Sequence, residues 1–419
     1  MKSSQIVPDR QYLLEIIRMY SWMLVKRESS SIRNAVRESL SIRVISANYK
    51  LRKKLHFSKM ILHNGKFYSS LAVPGIPSQA FANSVRNGVF HLLDSGIIQK
   101  RQIDTALLAI TSNCPLNCSH CYEKANINNY ISLTNDDWVK TVRSLQEHGC
   151  GVIVLTGGEP LSDFERLLAI LRSGDKNLSD FHIHTSGMTV TEEKVVQLKE
   201  AGLTAAGVGI DHNDELKNDR LRGKGSWKSA LKAIDLFVKH GILTYVNFCA
   251  VKEIANESDL MKYAEFVKEK GVALIELLEP RECGGYKGDY SVLLGGGEKA
   301  ALLNFMKKIN LDKNYLDYPV IYYLAHLEGK DGLGCLMGGL SHFYIDSAGN
   351  INPCVFMPVT FGNILTEDIE VILSRMRKNI PYPLKAECPA IAISEEIAAE
   401  ESHPVPFERV ANKFKELFP

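Results

Sequence analysis

Three cysteines stand close together in ITSNCPLNCSHCYE, residues 110–123: Cys114, Cys118 and Cys121. A C-x3-C-x2-C spacing lets one tight loop present three soft thiolates to a compact iron-sulfur cluster, each sulfur capping a different corner. A cube has four such corners, so three cysteines leave one iron open to a cofactor or substrate. Zinc would instead ask for four protein ligands, usually as two separated C-x2-C pairs, and no second pair occurs. The loop follows an apolar run and reads as catalytic.

Downstream, TGGEP at 156–160 places Gly157 and Gly158 where backbone can approach a ligand, and Glu159 where it can accept from an ammonium group. Alone, Pro160 would make this an ordinary strand-to-helix turn. Together, CPLNCSHCYE and TGGEP resemble the radical S-adenosylmethionine (SAM) superfamily. The resemblance implies a [4Fe-4S] cluster whose open iron holds the amino and carboxylate groups of SAM. One electron then releases a 5'-deoxyadenosyl radical, which takes a hydrogen atom from an unactivated C–H bond. It also implies an external one-electron reductant of flavodoxin or ferredoxin type.

Other segments carry the resemblance further. HTSGM at 184–188 is similar to the family's Thr-Asn-Gly turn, with Ser186 in place of the amide residue. GVGIDH at 207–212 keeps Asp211 but has Gly209 where the family has a serine that contacts SAM; Asp211 also reads as an N-cap or turn acid. LRGKGSW at 221–227 resembles the family's Arg-Gly turn, in which the Arg222 fork suits the SAM carboxylate, a surface arginine being the alternative. Asn247 would bridge to the cofactor or satisfy backbone.

In the C-terminal region, Cys335, thirteen residues, Gly349, four residues and Cys354 resemble the SPASM extension or its shorter twitch form, including the Gly-Asn-Ile at 362–364. Such extensions hold auxiliary clusters. A full SPASM pattern has seven cysteines, whereas only Cys388 follows Cys354 here. The expectation is one auxiliary [4Fe-4S] cluster on Cys335, Cys354 and Cys388, with the fourth ligand open and relic thiols as the alternative. Cys283, clustered with Glu279 and Arg281 in LLEPRECGGY, is a candidate ligand, hydrogen donor or buried thiol; Cys150 and Cys249 read as core.

These residues need a scaffold that brings strand ends together. From 105 the chain alternates short apolar runs with amphipathic helices, with strands expected at 106–111, 152–155, 181–184, 205–210, 243–250 and 272–278. A Thr134/Asp137 capping pattern, Ser162 and the stretch 227–240 before Gly241 mark helices. Parallel units with right-handed crossovers curl into an open barrel with its chemistry at the strand ends. The expected fold is α/β: a partial (β/α)6 TIM-like barrel over 103–310, a helix-rich N-terminal extension over 1–102, and a small twitch/SPASM-like iron-sulfur domain over 311–419. Within the last, HFYID and NINPC are expected to pair as a hairpin across SAGN.

The extension opens with an apolar helix at 11–25 whose Gln11, Glu15 and Arg18 form one polar stripe, followed by basic stretches at 33–43 and 51–59. An Asn-Gly pair at Asn64 signals a hairpin, Pro74 and Pro77 break it, and helical pattern resumes at 81–93.

The 419 residues, 45% hydrophobic, are ample for a large core, and 50 Lys and Arg against 48 Asp and Glu give no global signal for nucleic acid. Charge is local: residues 1–104 carry seventeen basic against six acidic side chains, a balance of +11. That excess suits an acidic peptide leader or a peripheral membrane contact. Nine cysteines do not read as a disulfide framework, and cluster thiolates need a reducing compartment, hence a cytoplasmic expectation. No signal pattern or bilayer-length apolar run is read. The substrate is expected to be a peptide in natural-product maturation, or alternatively a lipid or small metabolite. A non-catalytic electron carrier is the rival from another class, against which TGGEP argues.

Overall fold

The computed structural model describes residues 4–8, 14, 52–53, 55–68, 70–86, 103–129, 133–330, 332–339, 341–380 and 388–417. The expected helix at 11–25, residue 14 apart, and the basic stretch at 33–43 lie outside the described residues. So do 87–93 of the expected helix at 81–93.

The described N-terminal part is a three-stranded antiparallel sheet of β1 (Ser4–Pro8), β2 (Lys59–His63) and β3 (Lys66–Tyr68), followed by α1 (Gln79–Arg86). Asn64 and Gly65 make the β2–β3 turn with φ of 48° and 75°; two consecutive positive φ values match the twist of a two-residue hairpin.

Six parallel strands then follow: β4 (Thr105–Ala109), β5 (Val152–Thr156), β6 (Asp180–Thr185), β7 (Ala205–Gly209), β8 (Leu243–Cys249) and β9 (Leu274–Leu278). Helices α2 (Asn135–Glu147), α3 (Phe164–Ser173), α4 (Glu192–Glu200), α5 (Glu215–Arg222), α6 (Ser226–Lys239) and α7 (Glu257–Glu269) connect them. Local signals explain the helix starts. Thr134 and Asp137 close a reciprocal capping box on α2. The helical entry to α3 begins earlier than Ser162 implied, because Glu159 caps a 3-10 turn at Pro160–Asp163 through the Leu161 N–H.

The sheet continues past residue 310, where the expected barrel ends. After α8 (Gly296–Leu311), β10 (Val320–Tyr323) pairs in parallel with β9, while β11 (His342–Ile345) pairs in parallel with β4 and turns back as β12 (Ile351–Asn352). The order is β10-β9-β8-β7-β6-β5-β4-β11-β12. The HFYID/NINPC hairpin therefore exists, but its first strand is also the neighbour of the strand before the cysteine loop.

Side-chain alternation gives the barrel two faces. Ile153, Leu155, Phe181, Ile183, Val208, Val246, Phe248 and Ile275 pack outward with helix residues such as Leu171, Ile234 and Leu260 in the main core. Leu107, Val154, His182, His184, Tyr245 and Glu276 point inward and line a cavity. Leu55, Phe57, Ile61 and Tyr68 of the N-terminal segment pack on Leu243, Leu274 and Val320, the first residues of their strands, and so cover the barrel end opposite the cysteine loop.

Candidate active site

The cysteine loop leaves the C-terminal end of β4 and is clamped by backbone from two strand ends and one helix end. From the β5 end, the Gly158 N–H donates to the Thr111 carbonyl and the Glu159 N–H to the Asn113 carbonyl, both at 2.7 Å. A Cβ on Gly158 would stand 2.3 Å from the Asn113 oxygen, so this approach requires glycine. From the β9 end, the Gly285 N–H donates to the Cys121 carbonyl at 2.9 Å. From the α5 end, the Leu221 carbonyl accepts from the Ser119 N–H at 2.9 Å, and Cys118 Sγ lies 3.3 Å from the Arg222 carbonyl. Below the loop, Tyr344 of β11 donates to the buried Glu123 carboxyl at 2.5 Å.

Glu159 is fully buried and its carboxylate is filled. Oε1 accepts from Thr185 Oγ1 at 2.6 Å and the Leu161 N–H at 3.0 Å; Oε2 accepts from the Ser186 N–H at 2.7 Å and from Ser186 Oγ. Burial raises its pKa while the Ser186 and Thr185 hydrogen bonds oppose the rise. The side chain expected to meet an ammonium group thus ties the β5 and β6 strand ends together, with Pro160 opening the next turn.

At the β7 end, Arg222 closes its fork on Asp211, with Nε 2.5 Å from Oδ2 and Nη2 3.0 Å from Oδ1. The Cys249 N–H adds a bond at 2.9 Å, and His120 Nε2 lies 3.1 Å from Oδ2. Burial would raise the Asp211 pKa, yet Arg222 and His120 hold it well below the usual carboxylate range. The guanidinium expected to take a ligand carboxylate is therefore engaged by a protein one. Gly209 makes this possible: a Cβ there would meet Arg222 Nη1 at 2.3 Å, so arginine occupies the space beside the residue that departs from the family pattern. Asn247, paired with Gly209 across β7–β8, keeps a buried Oδ1 with no partner among the described residues. His120 was not singled out in the sequence, although a histidine between two cluster-spaced cysteines was the available signal.

The three loop thiols lie within electrostatic range of one another. Burial pushes Cys114 up to about 11 and Cys121 up to about 12, and raises Cys118 against the opposing charge of Arg222. Buried thiols in a row are poor thiolates until a cation compensates them, which suits a metal cluster. Among the described residues no three His, Cys, Asp or Glu side chains converge on a single ion; the ligands of a cube stand apart, one per iron.

A second set forms at the C-terminal region. Burial raises Cys335 well above its ordinary value and pushes Cys354 up to about 12, with charge on Cys388 adding to both; Cys283 feels Cys354 and Cys388 in the same way. The three expected auxiliary ligands thus come together with Cys283, while Cys150 and Cys249 are buried elsewhere. Arg281 pairs with Glu279 at 2.9 Å and reaches Cys388. Cys335, Cys354 and Cys388 also line the inner cavity, of about 500 Å3, at the seam between β10 and β11.

The family model for the radical SAM superfamily matches residues 108–267, and that for SPASM, an iron-sulfur cluster-binding domain, matches 335–389. The chain thus carries a radical SAM domain followed by a SPASM domain. It is 25% identical over 304 residues to the AdoMet-dependent heme synthase of Methanosarcina barkeri, covering 67% of this chain and 85% of that one. It is also 25% identical over 302 residues to the sporulation killing factor maturation protein SkfB of Bacillus subtilis, covering 68% and 70%. Among solved structures, Streptococcus suis SuiB bound to precursor peptide SuiA matches in fold with a TM-score of 0.55 at 15% identity, over 87% of this chain and 81% of that one. This radical SAM enzyme thus joins a [4Fe-4S] and SAM domain to an auxiliary cluster domain, on a partial barrel with a mostly parallel sheet. Among the described residues no helix is long and apolar enough to cross a membrane.

Proposed function

We propose that this enzyme abstracts a hydrogen atom from an unactivated C–H bond of a peptide, as a step in natural-product maturation. The observation that carries this reading is the cavity running from the inner wall of the barrel to Cys335, Cys354 and Cys388, a space where a substrate side chain would lie beside the auxiliary cysteines. The cluster and SAM supply the one-electron chemistry and the hydrogen-abstracting radical; the chain supplies position.

Cys114, Cys118 and Cys121 hold the catalytic cluster on a loop whose freedom is removed by Gly158, Glu159, Gly285 and Leu221. Glu159 braces Ser186, and the Asp211–Arg222–His120 network fixes the β7 end against the loop. Asn247 offers an unpaired acceptor toward SAM. Cys283 completes a four-thiol auxiliary site with Cys335, Cys354 and Cys388. The low-dielectric inner wall keeps water away from a reactive substrate carbon.

Two further points support a peptide. The peptide-bound SuiB structure matches this fold over 87% of the chain, and SkfB is by its name a maturation protein. The basic N-terminal extension would dock an acidic leader, and β1 pairs only with β2 among the described residues, leaving an edge to which an extended segment can add. A small metabolite is the second reading, favoured by the heme synthase match over 85% of that relative. Membrane contact through the basic stretches finds no support among the described residues: 33–43 lies outside them, and in 51–59 Arg52 and Lys59 are buried in the protein.

The test is isotope transfer. Deuterated peptides, or a deuterated porphyrin precursor, are incubated anaerobically with reconstituted enzyme, SAM and dithionite. Deuterium in 5'-deoxyadenosine from a peptide supports the proposal; transfer from the porphyrin precursor alone supports the second reading.

A further inference from the structure

The inner wall of the barrel carries charge that the roles above leave unused. Strand β9 turns Glu276 into the cavity, and the segment between β10 and β11 brings Glu328 to it. Glu276 has no hydrogen bond or ion pair among the described residues. Glu328 faces His342, whose Nδ1 stands 3.7 Å from Oε1. Burial pushes Glu276 up to about 7; burial, and then the charge on Glu276, push Glu328 up to about 8, against the opposing effect of Arg281.

The surrounding groups do not neutralise this pair. Burial pushes His182 and His184 down to about 3 and His342 down to about 4, so all three imidazoles are uncharged at neutral pH. Tyr245 donates to or accepts from His184 Nε2 at 2.8 Å. Arg281 is engaged by Glu279, and the two lysines that line the cavity, Lys299 and Lys330, are exposed to solvent. His182 lines the cavity too, but it is 1% exposed and both ring nitrogens are buried, so it offers no charge to the pair.

Two carboxyls in one desolvated cavity cannot both ionise without a cation. We propose that this part of the cavity recognises an organic cation on the substrate, the ammonium or guanidinium of a lysine- or arginine-type side chain, seated between Glu276 and Glu328. The aliphatic stem of such a side chain lies along Leu107, Val154 and Leu278. The assignment rests on the peptide reading of the same cavity and adds to it a requirement for charge.

The test is anaerobic titration calorimetry on the reconstituted holoenzyme with SAM, using the peptides acetyl-Gly-X-Gly-amide in which X is Lys, Arg, Gln or norleucine. The Lys and Arg peptides bind about ten-fold tighter or more than the Gln and norleucine peptides, the worth of one charge-assisted hydrogen bond. In the Glu276→Gln/Glu328→Gln double variant, shown folded by its melting curve, that preference disappears. Equal binding of the norleucine peptide to wild type, no binding of either cationic peptide at millimolar concentration, or a preference retained in the folded variant overturns the proposal. The wild-type ranking decides even if the variant does not fold. Formation of 5'-deoxyadenosine by the same wild-type preparation is followed in parallel. Cleavage of SAM without cation preference removes this inference alone, whereas absence of cleavage removes the reading beneath it.

Discussion

Replacing Gly158 by alanine tests whether the TGGEP turn acts chiefly as a clamp on the cysteine loop. The added Cβ would stand 2.3 Å from the Asn113 carbonyl oxygen, where ordinary contact begins at 3.4 Å, so backbone must part by about 1 Å. The flanking hydrogen bonds, Gly158 N–H to Thr111 and Glu159 N–H to Asn113, are both 2.7 Å and would open beyond useful range. Losing two such bonds costs about 2 kcal/mol, and about 4 kcal/mol if the donors stay buried and unsatisfied. A shift of that size corresponds to a melting temperature lower by roughly 2–5 °C in a chain of this length. A 1 Å displacement of the loop should also lower the rate of SAM cleavage by about 100-fold. Scanning calorimetry, iron content and 5'-deoxyadenosine formation are measured on the anaerobically purified variant. An alanine protein that melts with wild type, holds full iron and cleaves SAM at the wild-type rate would refute the clamp.

Asp211→Asn leaves Arg222 buried without its counter-charge and should destabilise the fold by about 3–5 kcal/mol in denaturant titration. Because the Asp211 pKa is depressed on folding, that contribution is complete above the ordinary carboxylate value and is lost as pH falls below it, so the gap between the proteins is fully present at pH 7. Glu123 behaves oppositely: burial pushes it up to about 7, the folded state holds a proton that the unfolded state releases, and this contribution falls as pH rises from 4.5 to 7. Glu123→Gln should therefore gain on wild type in melting temperature across that window, and parallel curves would contradict the assignment. Cys283→Ala should lower iron from about eight to about four per chain while keeping the catalytic cluster's paramagnetic signal; an unchanged count would exclude Cys283 as the fourth auxiliary ligand.

The six barrel strands were legible because each is a short apolar run flanked by turn residues, and their observed bounds differ from the expected ones by at most two residues at either end. The Thr134/Asp137 box and the Asn64–Gly65 turn were legible because both motifs are local. Strand partners across long separations were not. Nothing in HFYI says that it will lie beside the strand before the cysteine loop, since periodicity fixes a face but not a neighbour. Side-chain partners were equally hidden: Arg222 and Glu159 have the residue types to bind SAM, but choice between a ligand and Asp211, or Ser186, is made by tertiary distance. The polar inner wall had a signal that was passed over, in His182 and His184 at period two on one strand and Glu276 alone in the otherwise apolar LIELL of another.

The most direct test of the radical SAM assignment is reductive cleavage by anaerobically reconstituted protein, with iron and sulfide counted on the same sample. Wild type should hold about eight irons per chain and form 5'-deoxyadenosine from SAM with dithionite, whereas Cys118→Ala should form none and lose about four irons. Protein with a full catalytic cluster that neither binds nor cleaves SAM would contradict the account.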